Sequence, residues 1–215
     1  MKTLLYVFGL SFFSTMSIAQ KNNPYNQRGV DFVTSVNLVT NDFNAGLVKD
    51  FTQESLNKYS KMIPLQNQVS LDLTSRIVKT VKAPGFNIYD FINNSTLSSF
   101  AKNMYPQLIN PKGKSADEFR KTLSEKVGEI NLAKIDRNEK ELLLSVAAIS
   151  FNSSNNPVAG RSSCELQSPE GTVTLTHTQC IVAFAAAGAY IGFQICGVWC
   201  GLGGAVVGGL VAAIC

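Results

Sequence analysis

Apolar residues recur at helical spacing through most of the chain. Phe43, Leu47 and Phe51 fall four apart and continue through Leu56, Tyr59 and Ile63 until Pro64, the pattern of one buried helix face. Val69, Leu73, Ile77 and Val81 predict a second helix over 66–82, stopped by Pro84-Gly85. A third, less regular helix is expected over 88–105 with a break near Asn93-Asn94. Pro106 and Pro111-Lys112-Gly113 then bound a connector. Ser115 followed by Glu118 has the spacing that reciprocally satisfies free amides at a helix start; Phe119, Leu123, Val127 and Ile130 form the stripe of the helix it opens. A last helix over 137–151 is apolar at Leu142, Val146 and Ile149. Helices with short links pack as a small antiparallel bundle, here with narrow stripes, many Asn and Ser, and a modest expected core.

The fold class that follows is mainly α: a small helical bundle, then a hydrophobic glycine-zipper helix or helical hairpin. Five segments are expected. Residues 1–19 read as a signal peptide, with Lys2 ahead of a short apolar run and Ser17-Ile18-Ala19 before the cleavage point. Residues 20–40 are Asn-rich with little periodicity and read as a loosely ordered lead-in. The helical domain occupies 41–151. A polar, turn-rich linker covers 152–179, with Pro157, Gly160, Pro169 and Gly171, and the alternation of Thr172 to Thr176 suits one short strand.

Residues 180–215 differ from everything before them. No Asp, Glu, Lys or Arg occurs after Glu170, and Gln194 is the only strongly polar side chain after Cys180. Gly188, Gly192, Cys196, Cys200, Gly204, Gly208 and Ala212 repeat every four residues, and Gly197, Gly201, Ala205, Gly209 and Ala213 form a second row beside them. On a helix such rows make a groove where another backbone approaches closely. Each glycine costs a helix in water about 1 kcal/mol relative to alanine. In lipid, unsatisfied backbone groups cost several kcal/mol each and enforce helix. A single helix of this length would measure about 50 Å, longer than the roughly 30 Å hydrocarbon layer, so a break near Gly201 to Gly204 is expected.

Composition narrows the chemistry. The net charge of +4 is small and dispersed, which argues against nucleic acid as a partner. With His177 the single histidine, any site with two histidine ligands is excluded, and His177 itself reads as a surface polar residue. The carboxylate pairs Asp50/Glu54 and Glu125/Glu129 read as solvated helix faces. No phosphate loop, nucleophile elbow or zinc-protease motif is present, so no enzyme, metal or cofactor is expected. The five cysteines are Cys164, Cys180, Cys196, Cys200 and Cys215. In an exported chain they are disulfide candidates, their odd number leaving one thiol free or paired between chains. A Cys164–Cys180 bond would close a 17-residue loop; the remaining connectivity stays open.

The cysteines, with Ala185-Ala186-Ala187-Gly188 and Gly203-Gly204, resemble cysteine- and glycine-rich bacteriocin precursors of the microhalocin kind. That resemblance implies an export signal, a larger amino-terminal part that confers immunity, and a compact antimicrobial peptide at the end. The run from Gly201 to Gly209 also looks like the glycine-zipper segments of bacterial envelope proteins. The leading expectation is an exported precursor or carrier of a membrane-active, bacteriocin-like peptide. Its partners would be a lipid bilayer and a second copy, associating through Gly188, Gly192, Gly197, Gly201, Gly204, Gly208, Gly209 and Ala212. The alternatives are an envelope protein anchored by its tail, and a hydrophobic hairpin that simply closes the core.

Overall fold

The computed structural model describes residues 22–47, 70–155, 164–168, 171–196 and 198–214. The expected signal segment and residues 48–63 of the helix expected from Phe43 to Ile63 lie outside them. Among the described residues the protein is mainly α, as the spacing predicts. Its helices are α1 (Asn26–Asn44), α2 (Leu71–Val81), α3 (Ile88–Asn93), α4 (Ser99–Ile109), α5 (Ala116–Leu132), α6 (Arg137–Asn155), α7 (His177–Cys196) and α8 (Val198–Ile214). The antiparallel strands β1 (Cys164–Ser168) and β2 (Gly171–Leu175) precede α7, Cys164 pairing with Leu175 and Ser168 with Gly171.

Several helix boundaries are set by local chemistry. Ser70 caps α2 by accepting from the Leu73 amide, and Asn87 caps α3 by accepting from the amides of Tyr89 and Asp90. The expected reciprocal cap at Ser115 and Glu118 is present. It holds the Glu118 carboxyl below its ordinary pKa, chiefly through the hydrogen bond from the Ser115 amide. The break expected near Asn93-Asn94 falls between α3 and α4.

Four expectations are corrected. Phe43 and Leu47 do not share one helix face, because α1 ends at Asn44 and Gly46 takes a positive φ of 71°, leaving Leu47 exposed. The stretch read as a loose lead-in is mostly α1, a helix of 19 residues. Its valines, threonines and asparagines are poor helix formers alone, but Phe32, Val33, Val36 and Val39 are buried, and packing overrides propensity. Helix α4 runs through Pro106 to Ile109 instead of stopping there. Proline removes one backbone bond, but the Asn110 amide still reaches the Pro106 carbonyl, and Leu108 and Ile109 anchor the last turn in the core. The expected linker is largely structured where described: α6 extends to Asn155, and the Asn152 side-chain amide donates to the Ala148 carbonyl and to Asn26 Oδ1.

Helices α1 and α6 pack closely enough that a Cβ on Gly29 would lie 2.2 Å from the Ala148 carbonyl oxygen. Arg28 fastens the same crossing. Its guanidinium pairs with Glu141 at 2.5 Å, donates to Ser145 and lies over the Tyr25 ring. The interior is larger than narrow stripes imply, because every residue from Leu142 to Ser153 of α6 is buried. What those residues face explains why: α6 packs on α1, α4 and α5 and also on both helices of the carboxyl-terminal hairpin.

Candidate functional site

The feature that sets this chain apart is the α7–α8 hairpin. No break falls near Gly201 to Gly204, which lie inside α8; one helix ends at Cys196 and the next starts at Val198. The reason lies in the use of the glycines. Gly201 and Gly204 are committed to the interface between the arms, so they belong inside a helix and not at its end.

Four of the predicted association residues meet across that interface. A Cβ on Gly188 would sit 2.0 Å from the Gly204 carbonyl oxygen, and one on Gly204 would sit 2.1 Å from that of Gly188. Gly192 meets the Cys200 carbonyl at 2.1 Å, and Gly208 meets that of Phe184 at 2.1 Å. No side chain fits at these positions. Gly201 is looser, 3.5 Å from the Ala189 oxygen. Gly209, from the second row, faces the seam between α1 and α7, with Phe32 Cζ of α1 2.8 Å and Ile181 Cγ2 of α7 3.4 Å from its would-be Cβ. Ala212 is buried. Gly197 lies outside the described residues. The zipper read from the sequence therefore closes within one chain, arm against arm.

Of the cysteines, Cys164 and Cys180 form a disulfide with Cα atoms 5.9 Å apart, as their spacing suggested. It joins β1 to the first turns of α7. Cys200 is also disulfide-bonded. The Cys196 side chain and the whole of Cys215 lie outside the described residues. His177, expected at the surface, is 93% buried at the first position of α7, because Leu175 and Cys180 on either side of it are drawn into the core.

The rest of the chain encloses the hairpin. Helices α1, α2, α3, α4 and α6 all touch one or both arms, and every described side chain from Gly201 to Ala212 is buried. Toward the tip, Gln194 and Ile195 are exposed. Aromatic rings line one seam: Phe86 contacts Phe184, and Phe91 meets Tyr190 edge-on at 5.5 Å between centroids. Two polar contacts fix the register. Tyr105 Oη of α4 donates to the Ala186 carbonyl at 2.7 Å, and the Thr96 amide donates to Tyr190 Oη at 3.3 Å. Complete burial, with Tyr190 adding a smaller effect, pushes the Tyr105 pKa far above its ordinary value, so this hydroxyl remains a donor across the accessible pH range. Tyr105→Phe should lower stability by about 1 kcal/mol, the usual net value of one hydrogen bond. The change is read as a lower urea midpoint with unaltered slope.

By length and composition, α7 includes one segment able to cross a membrane, His177–Ile195, although two thirds of its most apolar window is buried inside the protein; Cys200–Ala212 of α8 is a shorter apolar helix. Nothing in the sequence pattern announced the enclosing contacts of Tyr105 and Tyr190. Tyrosines 81 or more residues from their partners carry no local signal. No protein-family profile, curated protein or solved structure matches this chain, so the geometry itself defines the class: a helical protein built around a charge-free, glycine-zippered hairpin.

Proposed function

We propose that this protein is an exported carrier of a membrane-active, bacteriocin-like hairpin formed by its carboxyl-terminal residues. The helices from α1 to α6 act as a sheath that keeps the hairpin out of water and away from lipid until release. The single supporting observation is that a charge-free pair of helices, closed arm to arm through glycine, is held inside the rest of the chain.

The dimensions are compatible with a bilayer once the hairpin is free. The 19-residue segment of α7 measures about 28 Å and the 17 residues of α8 about 26 Å at 1.5 Å per residue, against a hydrocarbon layer of roughly 30 Å. With one arm ending at Cys196 and the other starting at Val198, both approach the full crossing length. No chemistry on a substrate is involved. Insertion would exchange sheath contacts for lipid contacts, and the small-residue face at Gly209, released from Phe32 of α1, would support association of hairpins. Residues 1–19 supply the export signal in this reading.

The test is dye release from anionic liposomes. An oxidised peptide of residues 164–215 should empty vesicles at micromolar concentration, while the signal-free full chain at equal concentration leaves them intact. A peptide that releases no dye removes the proposal. One specific feature, the membrane-length segment in α7, favours a second reading in which the tail anchors an envelope protein. Cell fractionation separates the two: full-length protein retained in membranes supports anchoring, and a secreted fragment supports the carrier.

A further inference from the structure

A cavity of about 240 Å³ opens where the sheath meets the start of the hairpin. Ile109 and Pro111 come from the end of α4 and the following turn, Phe119 from α5, Ser153 from α6, and Thr178 and Val182 from α7. Ile109, Phe119 and Val182 give it apolar walls, and Ser154, Thr176 and Gln179 add polar groups to the lining. Among the described residues, exposed Lys114 is the only charged one lining it, and its ammonium spends one of three donors on Thr122 Oγ1. The nearby acidic groups are engaged elsewhere, Asp117 with Arg120 and Glu118 with Ser115. Ser153, fully buried in the cavity wall, has a hydroxyl without a hydrogen-bond partner among the described residues.

We propose that this cavity binds a short-chain fatty carboxylate, its alkyl tail between Phe119, Ile109 and Val182 and its carboxylate at Lys114. Size and charge both select that ligand. An apolar cavity of about 150 Å³ accommodates benzene, six carbons, so 240 Å³ suits a chain of about eight to ten carbons. A single cation at the mouth matches a single anionic head, and charge-assisted hydrogen bonds are the stronger kind. Because sheath and hairpin each contribute walls, the ligand binds only while the two are docked, and occupancy must stabilise the docked state by mass action. The site stands independently of the proposed carrier role, since it requires the enclosed fold and not release.

The experiment uses the signal-free full chain and two probes, octanoate and octanol, at about 2 mM each, well above the affinity expected for a fitted site. Octanoate should raise the unfolding midpoint by about 3 °C, and octanol, which keeps the tail but lacks the charged head, by less than about half as much. Ala116→Trp, at an exposed position on the rim, and Thr178→Trp, on the hairpin side, are independent plugs that should each abolish the octanoate shift relative to their own midpoints. Lys114→Met should weaken octanoate binding about fivefold, the loss of a solvent-accessible charge-assisted contact. An equal shift from octanol overturns the carboxylate assignment. No octanoate shift, or one that survives in both plugged variants, overturns the site. Neither result bears on the liposome test, so the two proposals fail separately.

Discussion

Gly188→Ala is expected to destabilise the protein by about 3 kcal/mol, although helix propensity alone predicts a gain of about 1 kcal/mol for the same change. The added methyl would lie 2.0 Å from the Gly204 carbonyl oxygen, and the obstacle is backbone, which no rotamer change moves aside. Relief requires the arms to separate along the hairpin, opening contacts from Phe184 to Gly208 that depend on the same spacing. Gly201→Ala is the control. Its nearest neighbour at 3.5 Å is an ordinary contact, so alanine there should be neutral or stabilising by up to about 1 kcal/mol. Opposite signs for one substitution at two glycines of one hairpin, measured by urea unfolding, identify close packing as the cause. At this chain length the Gly188 variant should melt roughly 6–12 °C lower. Equal effects at both sites would mean that the arms do not meet as described.

The second large effect is expected from removing the Cys164–Cys180 bond. It closes a loop with a sequence separation of 16, for which the chain-entropy relation gives about 3 kcal/mol. The double variant Cys164→Ser with Cys180→Ser should lose stability by that order while keeping its helical content, because α7 and α8 hold one another through glycine contacts that the bond does not touch. The β1–β2 pair should suffer more. An isolated two-stranded hairpin is marginal in water, and its tie to α7 passes through Cys180. Hydrogen exchange should therefore accelerate at the amides of β1 and β2 before those of α8. Uniform acceleration would show that the bond supports the whole hairpin and not its lead-in.

Much of the helical pattern was legible because it was local. The stripe of α5 and its Ser115–Glu118 cap lie within a few residues of one another, as do the stripe of α2 and the break after Asn93. The four-residue glycine rows announced a close helix contact, and the Cys164–Cys180 spacing announced a closed loop. The failures share a cause. Helix α1 has weak propensity and forms because Phe32 and the valines have Gly209 and α6 to bury against. Pro106 did not stop α4, because Leu108 and Ile109 are anchored in the core. His177 looked like surface and is buried, since one polar residue between Leu175 and Cys180 follows the chain inward. The seam cavity joins residues from Ile109 to Val182 and has no local signature.

By itself the amino-acid order determined that the last residues would be charge-free, helical and bare along one edge, for these properties belong to side chains and their spacing along one helix. Only the tertiary structure decided what that edge would meet. The glycine groove is equally suited to a second molecule or to the other arm of a hairpin; the short connection between Cys196 and Val198 places the other arm at once within reach, at a small cost in chain entropy. The sheath then covers the outward faces, which in water have no better partner than the apolar sides of α1, α2 and α6.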